Sequence, residues 1–71
     1  MDRDTLLDAI RKGPIRVHMN DGQHFDILNL EMAVVDDIAA HVLTRNDDGK
    51  YRTKILSLVC MVSIESISQN A

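Results

Sequence analysis

Apolar and polar residues alternate along Ile15–Met19 and again over residues 23–28, with Asn20-Asp21-Gly22 between the two runs. A period of two predicts strands, and an Asp-Gly pair between them predicts a β-hairpin. A two-residue loop would put Val17 and Met19 on one face and Phe25 and Ile27 on the other. A three-residue loop, with Asn20 and Asp21 in a type I turn and Gly22 left-handed as a G1 bulge, instead pairs Ile15 with Ile27 and Val17 with Phe25. Burial of one face selects the second register, because a slip of one residue turns one strand's apolar set into water. The outer face then carries Arg16 opposite Asp26 and His18 opposite His24.

Before the hairpin, residues 2–12 have helical spacing. Asp2 or Asp4 can cap the start, Leu6, Leu7 and Ile10 share a face, Arg11 and Lys12 complement the dipole at the end, and Gly13-Pro14 stops the helix. About three turns do not hold alone in water, so the Leu-Leu-Ile face must dock on the sheet. After the hairpin, residues 29–32 break the alternation and read as a loop or bend. Ala33-Val34-Val35 resumes an apolar run that Asp36-Asp37 interrupts.

Alternation returns over residues 38–44 around Ala40, Val42 and Thr44, and over residues 50–56, the two joined by the turn residues Asn46-Asp47-Asp48-Gly49. Tyr51, Thr53 and Ile55 lie on one face of that second strand, and Lys50, Arg52 and Lys54 on the other. Residues 57–60 fit either a short 3₁₀ turn or more strand. Residues 61–67 complete the set with Val62 and Ile64 inward, and residues 68–71 read as a frayed tail. One helix and about five short strands with turn chemistry between them predict a single mainly β domain, a small antiparallel barrel or strongly bent sheet.

Composition narrows this picture. Seventy-one residues bury only about 60% of their unfolded surface, and with one Phe, one Tyr and no Trp the core must be aliphatic, with Met19, Met32 and Met61 as adaptable packers. One cysteine, Cys60, excludes an internal disulfide and fits a reducing compartment. A charged start with no long apolar run predicts neither a signal peptide nor a membrane span, so the expected location is cytoplasmic. A formal net charge of −3 gives the whole chain no bias toward nucleic acid or anionic membrane.

Few residues offer chemistry. His18 and His24 could supply two metal ligands, but a zinc site needs at least three plus water, and only Asp26 and Arg16 are expected nearby. Two solvated imidazoles are the plainer reading, and His41 falls on another strand. Lys50, Arg52 and Lys54, with Arg45 across the turn, could follow a phosphate backbone. The same stripe could be a solvated face that discourages edge-to-edge aggregation.

Asp36-Asp37 and Asp47-Asp48 resemble halves of acid/base sites, yet adjacent strand residues point to opposite faces and turns favour Asp. Cys60 lies in an apolar run with no His close in sequence, which fits an inert thiol. Without a phosphate-binding Gly-rich loop, a nucleophile elbow or a metalloprotease motif, no catalysis and no cofactor are expected.

Two resemblances arise from the hairpin outward. Pro14, Asp21-Gly22-Gln23, Phe25, Ile27 and Glu31, followed by Asp48-Gly49, Ser57-Leu58, Val62 and Ile64-Glu65, resemble the pattern of a group of short bacterial proteins of no established activity. The Phe residues around Pro14 and a Pro before Glu31 are missing, and no site carries over. Val17, Met19, Asn20-Asp21-Gly22 and Phe25 are also similar to the first motif of Sm-like proteins, RNA-binding rings that begin with a helix before a bent five-stranded sheet.

Ile27 stands where that motif usually has Gly, and Ala40-His41 where a base-contacting Met-Asn would be. No Arg-Gly precedes the last strand. The resemblances imply a five-stranded SH3-like or Sm-like barrel with one N-terminal helix, while function must come from the site. The expectation is a non-catalytic, self-associating interaction module whose partner is a second copy or another protein. RNA binding through Arg45, Lys50, Arg52 and Lys54 is the alternative.

Overall fold

The computed structural model describes residues 1–67; the tail expected over residues 68–71 lies outside that range. Helix α1 spans Arg3–Arg11, and Asp2 caps it by accepting from the Asp4 N–H at 2.8 Å and the Thr5 hydroxyl at 2.6 Å. Leu6 and Ile10 are buried and Leu7 only half so. Gly13 at φ +139° then turns the chain out of the helix.

Strands β1 (Ile15–Met19) and β2 (His24–Ile27) form the hairpin. Their partners are Ile15–Ile27, Arg16–Asp26, Val17–Phe25 and His18–His24, the register that one-sided burial selects. Gly22 sits at φ +90°, its N–H donating to the Met19 carbonyl while the Met19 N–H donates to that of Gln23.

A 3₁₀ turn, Leu30–Met32, precedes β3 (Ala33–Val35), which leads to β4 (Ala39–Arg45) and β5 (Tyr51–Ser57). A second 3₁₀ turn, Leu58–Cys60, precedes β6 (Met61–Ser66). The β4–β5 loop repeats the first: Gly49 has φ +82°, its N–H donates to the Asn46 carbonyl, and the Asn46 N–H donates to that of Lys50. In both loops the Asp before the glycine accepts from the N–H two residues on, Asp21 from Gln23 and Asp48 from Lys50, each at 3.0 Å.

The strands form two antiparallel sheets, sheet A in the order β2-β1-β6 and sheet B in the order β3-β4-β5. Among the described residues there are six strands in two sheets that do not close into a barrel, so the five-stranded barrel is not borne out. The reason lies at residues 29–32. The Asn29 side chain accepts from the Glu31 N–H and the Asn29 carbonyl from the Met32 N–H, so these donors serve a turn instead of carrying β2 into β3.

The core between the sheets is aliphatic: Leu6, Ile10, Ile15, Val17, Ile27, Ala40, Val42, Leu56, Leu58 and the methionines Met19 and Met61, with Phe25 half-buried against it. Met32, expected among the core packers, is only partly buried. Val62, expected inward, is 62% exposed. The β1–β6 register shifts between His18 and Met19, which turns Met61 into the core and Val62 out of it.

Candidate interaction surfaces

The outer face of sheet A is polar. Arg16 grips Asp26 with a fork, Nε to Oδ1 at 2.7 Å and an Nη to Oδ2 at 3.1 Å. That hydrogen-bonded guanidinium holds the Asp26 carboxyl below the usual carboxylate range, and the carboxylate in turn raises Arg16. His18 and His24 face each other with ring centroids 5.9 Å apart, and His18 Nε2 lies 2.8 Å from Glu65 Oε1. Among the described residues no three His, Cys, Asp or Glu side chains are grouped so as to hold a metal ion. His41 belongs to sheet B, where its Nε2 lies 3.4 Å from Asp36.

The acidic pairs have turn and tether roles. Asp36 Oδ1 accepts from the N–H groups of Ile38 at 2.8 Å and Ala39 at 2.7 Å, and these two bonds draw its carboxyl below the usual range. Asp37 pairs with Arg3 at 2.9 Å, which ties α1 to the β3–β4 turn. Asp48 belongs to the turn already described. Cys60 is half-buried in the second 3₁₀ turn and lines a groove of about 310 Å³ together with Met19, Phe25, Leu56 and Lys54.

In sheet B, β4 and β5 pair Ala40 with Leu56, Val42 with Lys54 and Thr44 with Arg52. The Lys50-Arg52-Lys54 stripe therefore continues the core-facing side of the sheet beyond Leu56. Arg45 pairs with Tyr51 instead, so the structure puts it on the other face and out of the stripe. That other face carries Val34, His41 and Ile55 in one row, Leu43 and Thr53 in the next. Its apolar members are open to solvent: Val34 69%, Ile55 68%, Tyr51 58% and Leu43 37%. Local sequence does not signal this surface, because Tyr51, Thr53 and Ile55 have the composition of a buried strand face; Leu56, in phase with the cations, is the residue that reveals which side turns inward.

A second feature had no local signal. A cleft of about 360 Å³ separates β2 from the far half of β4 and is lined by His24, Phe25, Asp26, Leu28, Met32, Leu43, Thr44 and Arg45. Among the described residues no helix is long and apolar enough to cross a membrane. Comparison of the chain with family models, with curated proteins and with solved structures found no match.

Proposed function

We propose that this chain is a small non-catalytic interaction module that associates with a second copy of itself through the outer face of sheet B. The observation carrying this reading is the set of solvent-exposed apolar side chains, Val34, Leu43, Tyr51 and Ile55, on one face of a three-stranded sheet. Its exposed side chains offer on the order of 400 Å² per copy, where stable interfaces bury about 800 Å² per partner. His41 and Thr53 lie among these residues and Arg45 at the end of the face, and the area fits the weak, transient class.

The face is a better contact than the free edge of β5. Two-fold edge pairing centred on Thr53 sets Arg52 against Lys54 of the copy, and centring it on Lys54 sets that residue against itself. Like charges directly opposite each other destabilise such a ladder. The three-stranded orders, each flanked by a 3₁₀ turn at its bend, support reading the fold as an opened relative of SH3-like and Sm-like small barrels.

Sedimentation velocity from about 1 µM to 1 mM should show reversible dimer formation in the upper part of that range. Ile55→Glu and Val34→Glu should remain monomeric with unchanged far-UV circular dichroism, while Val59→Glu, exposed in the second 3₁₀ turn, should associate like the parent. A strict monomer throughout, or an Ile55→Glu variant that dimerises normally, refutes the reading.

One observation favours a second reading, RNA binding by the basic stripe. Lys50, Arg52 and Lys54 are exposed on one strand face, and among the described residues none has a carboxylate within ion-pair distance. Three phosphate contacts to a single strand predict a log–log salt slope of about −2. Arg52→Glu should abolish that binding, and no anisotropy change with a single-stranded RNA at low salt ends this alternative.

A further inference from the structure

We propose that the cleft between β2 and the far half of β4 receives an extended peptide segment of a partner protein, with alternate apolar residues and an acidic residue at one end. The segment adds itself as a strand to the free edge of β2. This site shares Leu43 and Arg45 with the border of the dimer face but is centred on β2, which that face does not include, and it does not depend on self-association.

Hydrogen-bond parity fixes which backbone groups face the cleft. In an antiparallel ladder, residues that exchange backbone bonds alternate with residues whose N–H and C=O point the opposite way. The Met19–Gln23 bond fixes the phase of the first hairpin, so Val17–Phe25 and Ile15–Ile27 exchange bonds while His24 and Asp26 turn their backbone groups away from β1.

The Asn46–Lys50 bond fixes the second hairpin in the same way, and the Leu58 N–H to Ile38 carbonyl bond keeps that phase. Leu43 and Arg45 therefore point their backbone groups away from β5. Strand β3 begins at Ala33, opposite Val42, and so stops short of them. The N–H of Met32, which would face Leu43, is bonded to Asn29 instead.

The outward edge of β2, an outer strand of its sheet, and the Arg45 end of β4, beyond the last β3 partner, thus line the cleft. Backbone groups on such edges call for another backbone, and addition of an extended peptide to an open edge is how sheets commonly supply one. The volume, about 360 Å³, is at the small end of the ~300–1,000 Å³ range of ligand pockets.

Charge specifies the occupant further. Asp26 is already matched by the Arg16 fork, whereas Arg45 has no carboxylate within ion-pair distance among the described residues. His24 lines the same cleft. In a chain of net charge −3 this opening is locally cationic and suits an acidic side chain. The half-buried Phe25 and Met32, with Leu28 and Leu43, present apolar surface to the alternate residues of the incoming strand.

The test uses the ¹⁵N-labelled chain and a capped peptide, acetyl-Thr-Val-Thr-Val-Glu-amide, which antiparallel pairing lays with Glu opposite His24 and the central Thr opposite Asp26. Shift changes should map to His24, Asp26, Leu43 and Arg45, with amide exchange at His24 and Asp26 slowed about tenfold. N-methylation of the central Thr, which removes the donor to Asp26, should abolish the effect. Arg45→Glu should weaken binding about fivefold, and ending the peptide in Lys should restore it in that variant.

Equal binding of the N-methylated peptide overturns the proposal, as do shifts that map to β5 or to no residue at millimolar peptide. Slow exchange of the His24 and Asp26 amides in the free chain would mean the edge is already paired, and concentration-dependent shifts there without peptide would assign the cleft to a second copy. Either result also overturns it.

Discussion

The two hairpin glycines form a matched pair on which the same substitution should have different effects. Gly22 and Gly49 adopt φ values of +90° and +82° in loops with the same hydrogen bonds. A Cβ at residue 22 meets no atom within 4 Å, and one at residue 49 meets only an Arg45 Nη at 3.7 Å, an ordinary contact. The cost of alanine at either site is therefore backbone strain alone, ~1–2 kcal/mol for a left-handed residue. The stiffer unfolded chain offsets roughly 0.4–1 kcal/mol of that.

Gly22→Ala should thus lower global stability by about 1 kcal/mol, because Met19, Val17 and Phe25 on either side of the loop pack into the core. That corresponds to a shift of about 1 M in the urea midpoint and of about 4–8 °C in Tm. Gly49 joins strand ends that are exposed from Tyr51 through Ile55. Gly49→Ala should therefore leave the urea midpoint nearly unchanged and instead speed amide exchange of Thr44 and Arg52. Asparagine, which tolerates the left-handed region, should recover most of the loss at residue 22. An unchanged midpoint for Gly22→Ala, or an equal fall for Gly49→Ala, would refute this account of what each loop supports.

Leu6→Ala removes a fully buried side chain that docks α1, and urea unfolding should register a loss of about 3 kcal/mol, with helical ellipticity falling before the sheet signal. Asp26→Asn tests the Arg16 fork through pH. The folded carboxyl lies below its ordinary value, so its stabilisation is present above the unfolded pKa of about 3.9 and fades as pH falls through the folded one. The stability difference between parent and variant should therefore be present at neutral pH and shrink below about pH 4; a gap that persists at low pH would show that the carboxyl acts through packing. Cys60→Ser places a hydroxyl at a half-buried position beside Met19 and Leu56 and should cost about 1 kcal/mol by thermal melting, with no change in self-association.

The parts of this fold that can be read locally are those where a short-range constraint meets one-sided burial. The β1–β2 register follows from the phase of Ile15, Val17, Phe25 and Ile27 relative to a loop of known length, and His18 opposite His24 comes with it. The opened architecture is different. Residues 29–32 read as a loop or bend, as the 3₁₀ turn there is, but nothing local says whether such a bend curves one sheet or divides two.

Val62 looks as suitable for the core as Met61, and the bulge that distinguishes them is set by a strand some forty residues earlier in the chain. Strand β5 has an apolar-looking face, Tyr51, Thr53 and Ile55, that tertiary placement turns to solvent, because among the described residues the core lies on the opposite side of sheet B. The cleft between β2 and β4 is invisible for a related reason. It is a gap between segments distant in sequence, and a gap has no composition.

Strand β1 is the centre of sheet A, yet one of its two neighbours is β6, about forty residues further along the chain. During synthesis at ~5–20 residues per second, Ile15, Val17 and Met19 wait on the order of 2–8 s after leaving the ribosome before Met61–Ser66 can follow. Over that interval the nascent chain presents a two-stranded ribbon whose greasy side has only α1 and the still-emerging strands to lie on, the kind of segment that holdase chaperones recognise. Any codon change or pause that lengthens the wait should cost soluble yield in the cell while leaving the thermodynamics of the finished protein unchanged.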